Sequence, residues 1–405
     1  MAVGLKSLPE LAPIPGIRVA CGAAAISKVG RDDLALFELG PNSSCAAVFT
    51  QNAFCAAPVI VAKRHLSCAS PRYLLVNSGN ANCGTGDEGL ATALQSCEAV
   101  AASTGCASEA VLPFSTGVIG ESMPITRICD AIPELVRGLA VDGWEGAAHA
   151  IMTTDTVAKG VSRHVNSSAG TYTLTGISKG SGMIRPDMAT MLAYVGTDAS
   201  VEPSVLQQAL RSAVSCSFNR ITVDGDTSTN DACIVMATGE SSARIDSAQG
   251  DDYREFCEAL TRVCVELAQA IIRDGEGATK FISIIVEGAR SEEEAQNVAY
   301  TIAHSPLAMT AFFASDPNWG RILACVGRAG VADLELDGVE IYLDDVCIVR
   351  NGARDSGYSE QAGQRVMNQE EITVLIRLGR GAHGVTVWTS DFSHDYVTIN
   401  AEYRT

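Results

Sequence analysis

A threonine interrupts the apolar run in "PDMATMLAYVGTDAS", a few residues after the glycine-rich "SKGSGMIRP". Packing is one account of Thr190, because β-branched residues favour strands. Nucleophilic catalysis is the other, and it requires a base that takes the hydroxyl proton. A threonine at a chain terminus carries that base in its own α-amine. An α-amine has an ordinary pKa of about 8, close enough to neutrality to accept a proton. An internal Thr190 gains such an amine only if the Ala189–Thr190 bond is cut. Its own hydroxyl can attack that bond if the loop "GSGMIRPDMA" holds it in a strained geometry.

Two further motifs invite chemistry and fall short of it. "GTGDEG", residues 84–89, matches G-x-G-x-x-G, but "NSGNANC" separates it from the preceding strand. A dinucleotide site needs its first glycine at the strand end, so that pyrophosphate meets the helix N-terminus. "GISKG" places Ser178 in a hydrolase-elbow pattern, which needs a sharp strand-to-helix turn with acid and histidine partners. Here "SGMIRP" follows, which cannot open a helix, and His383 and His394 lie in β-rich surroundings. Nearby polar segments are dense in hydroxyl and amide residues: "NSGNANCGTG", "PFSTGVIGE", "MTTDT" and "TVDGDTSTND". They suit backbone-mediated recognition of a small polar ligand, and each alone also reads as a turn.

The elements that must position these residues alternate along the chain. Strands are expected at "DLALFELG", "CAAVFT", "PVIVAKR" and "RYLLVNSG", and helices over 88–102 and 128–139. "TYTLTGISKGSG" reads as a strand entering a loop, and "MATMLAYVGTDA" as the next strand. In "SVEPSVLQQALRSAVSCSF", Ser200 is the expected cap and Pro203 lies in the first turn. Phe256, Leu260, Val263, Leu267 and Ile271 recur at helical spacing, and Gly275 is placed to stop that helix. "KFISIIVEGA", a charged helix over 292–303, and the strands "VEIYLDD", "EITVLIRLG" and "GVTVWTSD" follow. The pattern predicts mixed sheets flanked by helices, with a smaller α/β unit from about residue 282.

Composition narrows the function classes. The chain has 405 residues, 47% of them hydrophobic, and a formal net charge of -18. That is an ordinary globular composition, and the charge argues against nucleic acid or anionic membranes as partners. No apolar run approaches the roughly 20 residues of a membrane helix. The first residues show no apolar segment behind a basic start, so a cytoplasmic location is expected. The 14 cysteines are scattered through apolar stretches without C-x-x-C pairs or zinc-like spacing, which predicts reduced, packed thiols and no metal.

Taken in order, these segments resemble the ornithine acetyltransferase (glutamate N-acetyltransferase) family of arginine biosynthesis. The resemblance spans nearly the whole chain: "VNSGNANCGTG", "PFSTGVIGE", "IMTTDT", "SKGSGMIRPDMATMLAYVGTDA", "FNRITVDGDTSTND", "IRDGEGATKFI", "SDPNWGRI" and "YVTINAEYRT". It implies a layered αββα fold of the N-terminal-nucleophile type, with a smaller C-terminal α/β part. It also implies self-cleavage between Ala189 and Thr190 into an α chain 1–189 and a β chain 190–405. Thr190 would then carry acetyl from N2-acetylornithine to L-glutamate, with acetyl-CoA as a possible second donor and no cofactor. By the same resemblance Thr116 and Gly117 form the oxyanion hole. Thr153, Lys179, Thr190, Glu276, Asn400 and Thr405 contact substrate, and the chains assemble as α2β2. The strand character of "VTINAEYRT" would tuck that tail into the site. A self-processing aminopeptidase or amidase of the same fold is the alternative, with water in place of glutamate.

Overall fold

The computed structural model describes residues 2–5, 7–27, 29–185 and 191–402. The chain folds as two compact units, Ser7–Asn219 with Asp226–Ile271, and Met1–Lys6 with Arg220–Gly225 and Ile272–Thr405.

The larger unit is built on two sheets. β1 (Ile17–Gly22), β2 (Leu34–Leu39), β4 (Tyr73–Asn80) and β5 (Val111–Val118) form one, in the order β1-β2-β4-β5. β3 (Ser44–Phe49), the strand Ala232–Ala237, β8 (Leu192–Thr197), β7 (Gly170–Lys179) and β6 (Lys159–Ser167) form the other, in that order. β2 shows why its sequence is apolar on both faces except at Glu38. Successive side chains of a strand point to opposite faces. Ala35, Phe37 and Leu39 enter the core between the sheets, where Tyr194, Ile234 and Met236 meet them. Leu34 and Leu36 enter a second core with residues of α1 (Ala57–Cys68), α2 (Gly86–Thr104) and α3 (Ile125–Arg137). Phe37 stacks on Tyr194 with ring centroids 5.0 Å apart.

α5 (Pro203–Ser215) and α6 (Asp251–Arg273) cover the other sheet. The predicted stripe Phe256, Leu260, Val263, Leu267 and Ile271 is buried throughout. Gly176 of β7 lets α6 approach, since a Cβ there would stand 3.0 Å from Leu267 Cδ1 and 3.2 Å from Val263 Cγ1. The layers therefore run helix, sheet, sheet, helix.

In the smaller unit, α7 (Glu292–Ala303) and α9 (Trp319–Gly327) pack on a seven-stranded sheet. Ile282, Ile284 and Val286 of the strand Phe281–Ala289 share a core with Val298, Ile302 and Ile322. This compact unit begins at Ile272 and draws in 1–6 and 220–225.

Three local expectations are corrected. "PVIVAKR" is helical, not a strand: it forms most of α1, with Pro58 in the first turn. Proline there is pre-organised for a helix, and packing against two cores outweighs the β preference of valine and isoleucine. Glu202 rather than Ser200 caps α5, accepting from Val205 N at 3.0 Å, while Ser200 starts a two-residue strand. The first half of the tail "VTINAEYRT" is helical, not a strand: it lies in α11 (His394–Ala401), with Ser393 as the cap.

The fourteen cysteines are all free thiols. Five are buried, seven are half-buried, and Cys68 and Cys216 are exposed. Among the described residues no acidic, histidine or cysteine group could hold a metal ion, and no helix is long and apolar enough to cross a membrane.

Candidate active site

Lys179 organises the site in the larger unit. Alternation along β7 puts Ile177 into the core between the sheets, and Lys179 two residues on points to the same side. The lysine is buried, and its Nζ donates to Thr116 Oγ1 at 3.1 Å and to Thr153 Oγ1 at 2.9 Å. Three residues that the sequence singled out, 26 to 63 positions apart along the chain, thus converge on one ammonium. A hydroxyl has one donor and two acceptor positions. With an acceptor position of each threonine taken by Lys179, both hydroxyl hydrogens are left to donate elsewhere.

An anion that the sequence reading missed fixes this lysine's neighbourhood. Asp155 Oδ1 accepts from Lys159 Nζ and from Gly180 N, each at 2.7 Å, and Oδ2 accepts from Thr153 N at 3.0 Å. Both side chains of the Asp155–Lys159 pair are fully buried. Burial alone would push the Asp155 carboxyl up. The charges of Lys159 and Lys179, with the bonds from Lys159 and Thr153, hold it well below the usual carboxylate range. The carboxylate therefore clamps Thr153 and the residue after Lys179 together. "MTTDT" contains Asp155, but its buried partner lies four residues on in "AKG", and sequence shows no burial.

Gly117 follows Thr116 at the end of β5. Its φ is +134°, and a Cβ would lie 2.3 Å from the Gly79 carbonyl carbon and 2.5 Å from Asn80 N. No side chain fits, so two strands meet there backbone to backbone. The amide-rich segments hold this contact. Asn230 Nδ2 donates to Ala81 O at 2.7 Å and Ser115 O at 2.9 Å, and Asn77 Nδ2 donates to Asn80 O at 2.9 Å. Asn82 Nδ2 donates to Gly89 O at 2.9 Å. Those amides serve the backbone, and Gly89 of "GTGDEG" is where a Cβ would fall 2.1 Å from Thr85 Oγ1. That glycine is explained by packing. Ser178 lies inside continuous β7, 1% exposed, and among the described residues no turn into a helix follows it, as a nucleophile elbow would need.

In the smaller unit the structure brings Glu276 and Asn400 together. Glu276 is buried and its Oε2 accepts from Asn400 Nδ2 at 2.8 Å. Asn400 also donates to Tyr396 O at 3.0 Å. Ser393 Oγ, which caps α11, donates to Gly277 O at 2.6 Å and so ties the helix start to the glutamate's loop. Ala189, Thr190 and Thr405 lie outside the described residues.

This chain matches the model of the ArgJ family over residues 18–405. It is 58% identical over 396 residues to the "Arginine biosynthesis bifunctional protein ArgJ" of Methylococcus capsulatus, covering 98% of this chain and 97% of that one. The protein of the same name from Pseudomonas syringae pv. tomato is 53% identical over 406 residues, covering 100% of both chains. A solved structure, that of the arginine biosynthesis bifunctional protein argJ from Bacillus halodurans, is 38% identical with a TM-score of 0.51. It spans 53% of this chain and 100% of that one.

Proposed function

We infer, from the premise that this chain belongs to the ArgJ family, that it is a self-processing acetyltransferase of arginine biosynthesis. In this reading it moves acetyl from N2-acetylornithine to L-glutamate, and it also acetylates glutamate from acetyl-CoA. The observation that carries the reading is the convergence of Thr116 and Thr153 on the buried Lys179 ammonium.

Processing comes first. The Thr190 hydroxyl adds to the Ala189 carbonyl, the C–N bond breaks, and the proton ends on the threonine nitrogen. Water then hydrolyses the resulting ester, leaving Ala189 as a carboxylate and Thr190 with a free amine and hydroxyl. The products are an α chain 1–189 and a β chain from Thr190, which assemble as α2β2.

Turnover uses the same groups. The freed amine takes the hydroxyl proton as Oγ attacks the acetyl carbonyl. Thr116 Oγ1 and Gly117 N donate to the developing oxyanion. The nitrogen of ornithine takes a proton and leaves, with the acetyl group held as a threonine ester. The amine of glutamate attacks that ester and restores the hydroxyl. Lys179 holds the substrate carboxylate near Thr153, and Glu276, Asn400 and Thr405 contact the substrate, Glu276 through the free side-chain ammonium of N2-acetylornithine. Acetyl-CoA enters by presenting its acetyl end to the same hydroxyl. Water in place of glutamate is the amidase alternative, and acetylated product distinguishes them.

Thr116→Ala is expected to lower kcat by roughly 10²–10³-fold, the loss typical of one oxyanion donor. KM should change little, and steady-state kinetics with N2-acetylornithine and glutamate check both terms. An effect confined to KM would make Thr116 a ground-state contact. Ping-pong kinetics are also expected. Incubation with N2-acetylornithine alone should add one acetyl group to the β chain by intact mass, and double-reciprocal plots should be parallel. Intersecting lines with no acetylated chain would require direct transfer.

A further inference from the structure

Asp231 is a buried carboxyl that the mechanism above does not use. It stands at the end of "TVDGDTSTND", immediately before the strand Ala232–Ala237. That strand pairs in parallel with β8, Ala232 opposite Leu192. The pairing brings Asp231 beside Met191, whose N–H donates to Asp231 Oδ1 at 3.0 Å. The carboxyl is 3% exposed and faces a cavity of about 10 Å³ lined by Val48, Met191, Val214, Phe218 and Cys233. Burial pushes its pKa well above the usual carboxylate range, and the Ser228 hydroxyl, the Met191 amide and the Lys179 charge offset only part of that.

An acid placed in such a lining needs a reason. Buried aspartate is rare unless paired, and a peptide N–H donates to a backbone carbonyl as readily as to a carboxyl oxygen. Here β8 begins at Leu192. Met191 O accepts from Ala232 N at 3.1 Å, while the Met191 N–H takes a side-chain acceptor, Asp231 Oδ1. The anchored amide follows Thr190 directly. A trans peptide is planar, so a fixed N–H also fixes the plane that carries the preceding residue's Cα and carbonyl.

We propose that Asp231 is a positioning residue for self-cleavage, holding the Met191 amide and thereby the threonine side of the scissile bond against the attack on Ala189. The inference rests on the reading of Thr190 as the self-cleaving nucleophile. What Asp231 contributes is an acceptor, with no charge and no proton transfer required of it.

The test is a pair of near-isosteric variants of the full chain, followed by the rate at which the freshly made precursor splits. Asp231→Asn keeps a carbonyl acceptor and should split at nearly the native rate. Asp231→Leu suits the apolar lining but has no acceptor, and a misplacement near 1 Å is enough to slow its splitting by about a hundredfold. Its melting temperature should match or exceed the native one, separating positioning from loss of fold. Asp231→Ala carries the same expectation should the leucine chain aggregate. In the uncut Thr190→Ala background the Met191 amide should exchange with solvent faster when leucine replaces Asp231 and unchanged when asparagine does. Equal splitting by the asparagine and leucine variants, fast or slow, overturns the proposal. A native chain that never splits overturns the threonine reading as well, so the two failures are told apart.

Discussion

Thr190→Ala should purify as one uncut chain with no measurable acetyl transfer. The expected loss is on the order of 10⁴-fold or more, the scale seen when a covalent nucleophile is deleted. Two functions should disappear together, because in the proposed mechanism the hydroxyl that splits the chain is the one that later carries acetyl. Intact mass and transfer assays with both donors check this. Thr190→Ser separates the functions, since serine retains a hydroxyl and should split, more slowly, into an active enzyme. Efficient splitting of the alanine variant would remove the hydroxyl from processing and leave Thr190 a packing residue.

Asp155→Asn should be the most damaging isosteric change in the larger unit. Removing the carboxylate of a fully buried ion pair takes from the Lys159 ammonium the charge that offsets its burial, which costs about 3–5 kcal/mol. Urea midpoints at neutral pH read this out, and adding Lys159→Met should recover much of the loss. The sign with pH follows from the depressed native carboxyl. The stability it contributes is present above the unfolded value of about 3.9 and lost as pH falls below it. The native protein should therefore weaken more steeply than Asp155→Asn below about pH 4. An Asp155→Asn midpoint indistinguishable from native would show that Lys159 finds another acceptor.

Local patterns carried much of the architecture. "DLALFELG" contains a strand as expected, and the stripe Phe256, Leu260, Val263, Leu267 and Ile271 names the buried face of α6. Motif order named Lys179, Thr116 and Thr153, and these three side chains meet although no spacing rule links them. What stayed illegible depends on burial. "PVIVAKR" has the residues of a strand, and only contact with two cores makes it helical. Asp155, Lys159 and Asp231 look like solvated charges in polar loops, which is where such residues usually sit. Only the fold removes them from water.

α11 has eight residues, too few to be helical by itself in water. Its order depends on docking, through Ser393 to Gly277 O at one end and through Asn400 to Glu276 near the other. In the proposed mechanism, a substrate ammonium that draws Glu276 from Asn400 competes with one of the bonds that keep this helix docked. Binding and helix formation become thermodynamically linked, and linkage acts equally in both directions. Whatever frays the last turns, such as warming, should change substrate affinity from a segment that performs no chemistry. Affinity at Glu276 is then a difference between two contacts, and the C-terminal helix sets the zero from which it is measured.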